Sequence, residues 1–225
     1  ELNENGHPVV ILDVYSSYDL GYQFYLWEVA TATACSIIGV NSFDQPDVQD
    51  AKTRTLAGID AFRKTGQFII DAPVIKTPEF SVYSKQKITN LNAETPLIVI
   101  NEFLESNADK KGYVALNAFV CRNNQNMQVL SNLREWILEE FGMASTLGFG
   151  PRFLHSTGQL HKGGPENGLF IMITNTPSED VTIPGEGITF GKLCFAQALG
   201  DESALIDRGR KVLRIHIHQQ SIELL

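Results

Sequence analysis

Tyr113-Val114-Ala115-Leu116-Asn117-Ala118-Phe119-Val120 is an apolar run behind the turn residues Lys110-Lys111-Gly112, and it reads as a strand. Downstream, Met127, Leu130, Leu133, Ile137 and Leu138 recur at helical spacing and stop near Gly142. Residues 145–149 and 169–174 are short apolar runs of strand length, 190–209 reads as a helix, and 211–217 as a last strand. The order from Tyr113 is β-α-β-β-α-β, that of a split βαβ or ferredoxin-like unit with two helices on one face of an antiparallel sheet. The chain is therefore expected to be α/β in content and α+β in arrangement.

Upstream of that unit, Thr95-Pro96 opens a helix to about residue 106. Pro73 and Pro78 break the 71–90 segment, which reads as a linker, with 67–70 and Val82-Tyr83 as brief extended pieces. A domain border is expected near residue 90, giving an incomplete helical part, 1–90, and an α+β domain, 91–225. In the first part, residues 7–12 read as a strand or extended lead-in. Ser16, Ser17 and Asp19 then start a helix whose stripe is Leu20, Phe24, Trp27, Thr31, Ala34 and Ile38, ended by Gly39. Glu28 borders that stripe and reads as a carboxylate bonded to a neighbouring helix or to Lys52.

A second helix runs from Pro46 to about Lys64, capped by Gln45 or Asp44. Val48, Lys52, Leu56 and Ile59 share one face of it, which places Lys52 inside an apolar stripe. A lysine there either lays its stem along apolar surface or, with Gln45 two turns before it, lines an anion-favouring edge at the helix N-terminus.

With 225 residues and 43% hydrophobic composition the chain can bury a full core, and a net charge of -8 disfavours nucleic acid and anionic membranes. Cys35, Cys121 and Cys194 are odd in number and far apart, so they read as structural thiols in a reducing, cytoplasmic setting. No stretch has the length of a membrane span, and the start is unlike a signal peptide. Since the chain begins with Glu1 and no methionine, a fragment of a longer polypeptide is expected.

The second chemically dense stretch is Gly150-Pro151-Arg152-Phe153-Leu154-His155-Ser156-Thr157-Gly158-Gln159-Leu160-His161-Lys162-Gly163-Gly164-Pro165, which is too long for an ordinary hairpin. Arg152, His155, Ser156, Thr157, His161 and Lys162 are candidate contacts for an oxyanion or sugar hydroxyls. A purely structural tie-down competes with that reading. His155 and His161 lack a third ligand at useful spacing, so no metal is expected. His216 and His218 share a face with Arg214 on the last strand, by default the solvent face.

Asn41-Ser42-Phe43-Asp44-Gln45 with Lys52 seven residues on resembles the C-terminal signature of glucose-6-phosphate isomerases, in which F-D-Q-x-x-V-x-x-x-K carries a glutamine and a lysine of the sugar-phosphate site. The 150–165 loop resembles the one that follows this signature in bifunctional transaldolase/glucose-6-phosphate isomerases. Together the two span about residues 6–217. The resemblance implies a sugar-isomerase (SIS-like) segment before residue 90 and interconversion of glucose 6-phosphate and fructose 6-phosphate through an enediol, without cofactor. Lys52 would be catalytic, assisting ring opening, and Gln45 would bind substrate. The family's phosphate-binding segments, base glutamate and ring-opening histidine have no counterpart here, so the chain alone is expected to be inactive and to need the rest of an isomerase/transaldolase polypeptide. A homo-oligomer is expected from the apolar first helix. The alternative is a non-catalytic sugar-phosphate-binding or oligomerisation module.

Overall fold

The computed structural model describes residues 2–44 and 46–225. They form two compact units, 1–46 and 47–225. In the first, α1 (Ser17–Ile38) starts where the Ser16 side chain accepts from the Asp19 N–H and ends at Gly39, whose left-handed backbone (φ 76°) turns its N–H onto the Cys35 carbonyl. Its expected stripe is not covered, since no α1 residue is buried. Residues 7–12 carry no strand.

The second unit is mixed α/β, with α2 (Pro46–Thr65), β1 (Ile75–Lys76), β2 (Phe80–Ser84), α3 (Pro96–Asn107), β3 (Tyr113–Phe119), α4 (Asn124–Phe141), β4 (Ala144–Phe149), α5 (Thr157–Gly163), β5 (Gly168–Asn175), α6 (Phe190–Asp207) and β6 (Lys211–Ile217). One six-stranded sheet runs in the order β1-β2-β6-β5-β3-β4. The pairs β3–β4, β3–β5 and β5–β6 are parallel, while β2 meets β6 and β1 antiparallel.

This corrects the antiparallel ferredoxin-like expectation. The segment read as a loop between the second and third of those strands folds into a 3-10 turn (Arg152–His155) and α5, which make the crossover from β4 past β3 to the parallel β5. Parallel strands are covered on both faces and read as unbroken apolar runs, as β3 does. Val114, Leu116 and Ala118 enter one core with α3 and α4, and Ala115 and Phe119 enter the other with Phe153, Leu154 and α6.

The border near residue 90 is corrected too. β1 and β2 lie inside the supposed linker, and β2 pairs with β6 along its whole length, so a cut at 90 would divide the sheet. Residues 67–70 form no strand. Among the described residues no helix is long and apolar enough to cross a membrane.

Candidate functional site

Which face α2 buries is decided by what it lies on. Among the described residues of α2, Ala51, Thr55 and Ile59 are buried, at intervals of four. Thr55 rests where α6 has Gly200: a Cβ on that glycine would stand 3.2 Å from Thr55 Oγ1 and 3.3 Å from its backbone nitrogen. Small residues on both helices allow this approach and put Ala51 and Thr55 in the buried face where Lys52 and Leu56 were expected, with Ile59 buried as expected. Lys52 is therefore exposed, not enclosed in an apolar stripe, and Leu56 is 60% exposed. The Val48 side chain and all of Gln45 lie outside the described residues.

The side of α2 facing α6 carries a chain of ion pairs. Arg208 donates to Asp47 and, at 3.2 Å, to Asp50, while Arg54 reaches Asp50 at 3.0 Å, Ser203 Oγ at 2.8 Å and Asp207 at 2.6 Å. Burial pushes the Asp50 carboxyl up, but the Arg54 and Arg208 guanidiniums outweigh it and hold the group below its ordinary range.

The 150–164 segment divides its polar residues sharply. Phe153 and Leu154 anchor the 3-10 turn in the second core, and Gly150 leaves room for the Phe119 ring, into which a Cβ there would run. Arg152, His155, Ser156 and Thr157 remain exposed, whereas His161 and Lys162 point inward and are buried. Of the two histidines in the H-x₅-H spacing, one thus faces solvent and the other the interior. His161 packs among Tyr113, Phe153 and Phe170, with ring centroids 5.2 to 6.2 Å apart. Burial, then the Lys162 ammonium, lowers it to about 4, so it is neutral near pH 7.

Lys162 is the least expected of these. Its ammonium lies 2.6 Å from Asp201 Oδ1 with both side chains 1% exposed, close enough for an ion pair but off the angle of a hydrogen bond. Asp201 Oδ2 has no partner among the described residues, and burial raises this carboxyl despite the lysine. Arg210 Nη2 clamps the end of α5, donating to the Lys162 carbonyl at 2.8 Å and the Gly164 carbonyl at 2.6 Å. In β3, Asn117 shares a face with Ala115 and Phe119, and neither atom of its amide is partnered among the described residues.

Two motif-bearing segments meet here. Asp47, in the first turn of α2, lies beside Gly163 at the end of α5, its Oδ2 being 3.7 Å from where a Gly163 Cβ would stand. Sequence reasoning missed Asp201, Arg210 and Glu202. A signal for Asp201 was present, because it falls on one face with Ala198 and Leu205 at helical spacing, where a carboxylate needs a cation. Arg214 is 2% exposed and His216 is half-buried, which corrects their placement on the solvent face. Among the described residues no group of three or more His, Cys, Asp or Glu is arranged to hold a metal ion.

No protein-family model matches the chain, and a search of curated proteins returns no match. Among solved structures it is similar to a hypothetical protein from Thermus thermophilus, at 20% identity and a TM-score of 0.46. The alignment covers 75% of this chain and 39% of that one, so the chain spans well under half of that protein's length.

Proposed function

We propose that this chain is part of an enzyme that interconverts glucose 6-phosphate and fructose 6-phosphate, with a SIS-like segment that includes the F-D-Q stretch and α2 and a transaldolase fusion in the longer polypeptide. The observation that carries the reading is the apposition of its two motifs: the helix entered from F-D-Q starts against the end of the G-P-R-F-L-H-S-T-G-Q-L-H-K-G-G-P segment, at Asp47 and Gly163. Lys52 supports it in a simpler way, since an exposed ammonium on the second turn of α2 is open to a ligand. Its role is to donate to the ring oxygen as the sugar opens and to stabilise the negative charge that develops there. Gln45 is the substrate-binding partner. The base and the phosphate cradle come from other parts of the polypeptide, no cofactor takes part, and the setting is cytoplasmic.

The test is Lys52→Met in the longest natural form of the polypeptide, assayed for glucose 6-phosphate formed from fructose 6-phosphate. Turnover is expected to fall about 100-fold or more, the scale of losing one charge-stabilising donor, with an unchanged urea midpoint. Unchanged turnover would remove Lys52 from the site. The chain by itself is expected to show none.

A second reading, a non-catalytic sugar-phosphate-binding or assembly module, is favoured by the exposed group Arg152, His155, Ser156 and Thr157. Arg152→Ala/His155→Ala distinguishes them: lost turnover in a folded enzyme assigns the group to catalysis, and altered subunit assembly with normal turnover assigns it to the module.

A further inference from the structure

Between α6, the end of β2 and the 69–72 segment lies a cleft of about 390 Å³ that belongs to none of the motifs above. At its floor is Arg214. Arg214 Nε donates to Glu202 Oε2 at 2.7 Å, and the guanidinium carbon stands 3.7 Å above the Tyr83 ring. Nη1 is buried and has no partner among the described residues. A buried donor left unpaired is costly, and this guanidinium is held in place by a carboxylate on one side and a ring beneath.

The charges around the cleft decide what kind of ligand fits. Arg214 is paired with Glu202, Lys85 with Asp71 at 2.6 Å, and Asp207 with Arg54 at 2.6 Å. An anion would bring a further negative charge beside Glu202, and a cation would meet Arg214. Hydroxyl groups avoid both costs, because each accepts from a guanidinium and donates to a carboxylate without adding charge. Leu199 and Ile206 supply an apolar wall for the carbon face of such a molecule.

We propose that this cleft binds a small uncharged polyhydroxylated molecule, with one oxygen accepting from Arg214 Nη1 and a neighbouring hydroxyl donating to the Glu202 carboxylate. Burial raises the Glu202 carboxyl above its ordinary range although Arg214 pulls it back, so a donating hydroxyl replaces solvation that the carboxylate has lost. The site is independent of Lys52 and of the isomerase reading.

Saturation-transfer NMR on this chain, with D-glucose and myo-inositol as probes, tests the proposal. Ala72 lies exposed at the rim, and Ala72→Trp closes the mouth without touching the buried pair. Saturable transfer to either probe is expected, falling about tenfold in Ala72→Trp and in Arg214→Met. Absence of transfer to both probes, or equal transfer in Ala72→Trp, overturns the site. Displacement by glucose 6-phosphate more strongly than by glucose overturns its uncharged character. A Lys52→Met chain is expected to bind both probes as before, which separates this cleft from the proposed isomerase function.

Discussion

Lys162 and Asp201 are the pair whose removal is most informative. Two ions taken out of water cost more than their attraction returns unless the geometry is good, and here the approach is off-angle with one carboxylate oxygen unpartnered among the described residues. Asp201→Asn strands the ammonium and is expected to destabilise the protein by about 3–5 kcal/mol in urea unfolding, while Lys162→Met/Asp201→Leu is expected to be neutral or stabilising. His161 gives a second prediction, read through pH. In the unfolded chain it takes up a proton near the usual 6.5, whereas the folded imidazole waits until about 4. The unfolded state therefore binds more protons within that window, so stability is full above 6.5 and is lost as pH falls toward 4. Urea midpoints at about pH 7 and about pH 5 are expected to differ less in His161→Phe than in the parent, and an equal difference would contradict this origin. His161 and Lys162 stand out as candidate ligand contacts from their place in a polar, glycine-rich stretch. That they turn inward was not legible, because the partner that draws Lys162 in lies on α6, beyond β5 in the sequence.

Among the elements, α2 shows how a correct helix can still carry an incorrect face. Its start at Pro46 and its basic last turn, Arg63 and Lys64, were readable from local chemistry alone. Its orientation was not, because the decisive contact is the absence of a side chain at Gly200 on another helix. Leu56→Ala separates the alternatives, being expected to cost no more than about 0.5 kcal/mol by the same urea titration, whereas Ile59→Ala, at a position buried on either face, is expected to cost about 2–5 kcal/mol. α5 is the opposite case. Its glycines and polar residues argued for a loop, yet Leu154 and Phe153 before it and Arg210 across it hold seven residues in a helical turn. α4 lies between these extremes, since Leu130, Leu133 and Ile137 of its stripe are buried and its terminator at Gly142 (φ 62°) is where the pattern puts it, while Met127 and Leu138 are half-buried.

Over the whole molecule, the individual strands from β3 onward were legible and their directions were not. An apolar run announces a buried strand, but whether its neighbour is parallel depends on the connection, and the 150–167 connection hides a crossover. The first unit raises a different question. α1 leaves Phe24, Trp27 and Tyr25 largely exposed, along with the valines and leucines around them. A patch of this kind is expected to associate, so light scattering at tens of micromolar should report more than a monomer, and Phe24→Glu/Trp27→Glu should reduce the mass toward 25.0 kDa. A monodisperse parent chain would count against this. The position of β6 also has a consequence in time. It is the last strand in order yet sits between β2 and β5, and the hydrogen-bonded Ser81 and His218 at its end are 137 residues apart. During synthesis the β1–β2 pair must therefore wait, unjoined to the rest of the sheet, until nearly all of the unit has left the ribosome. The Phe80–Ser84 edge is the segment a nascent-chain chaperone would find uncovered longest.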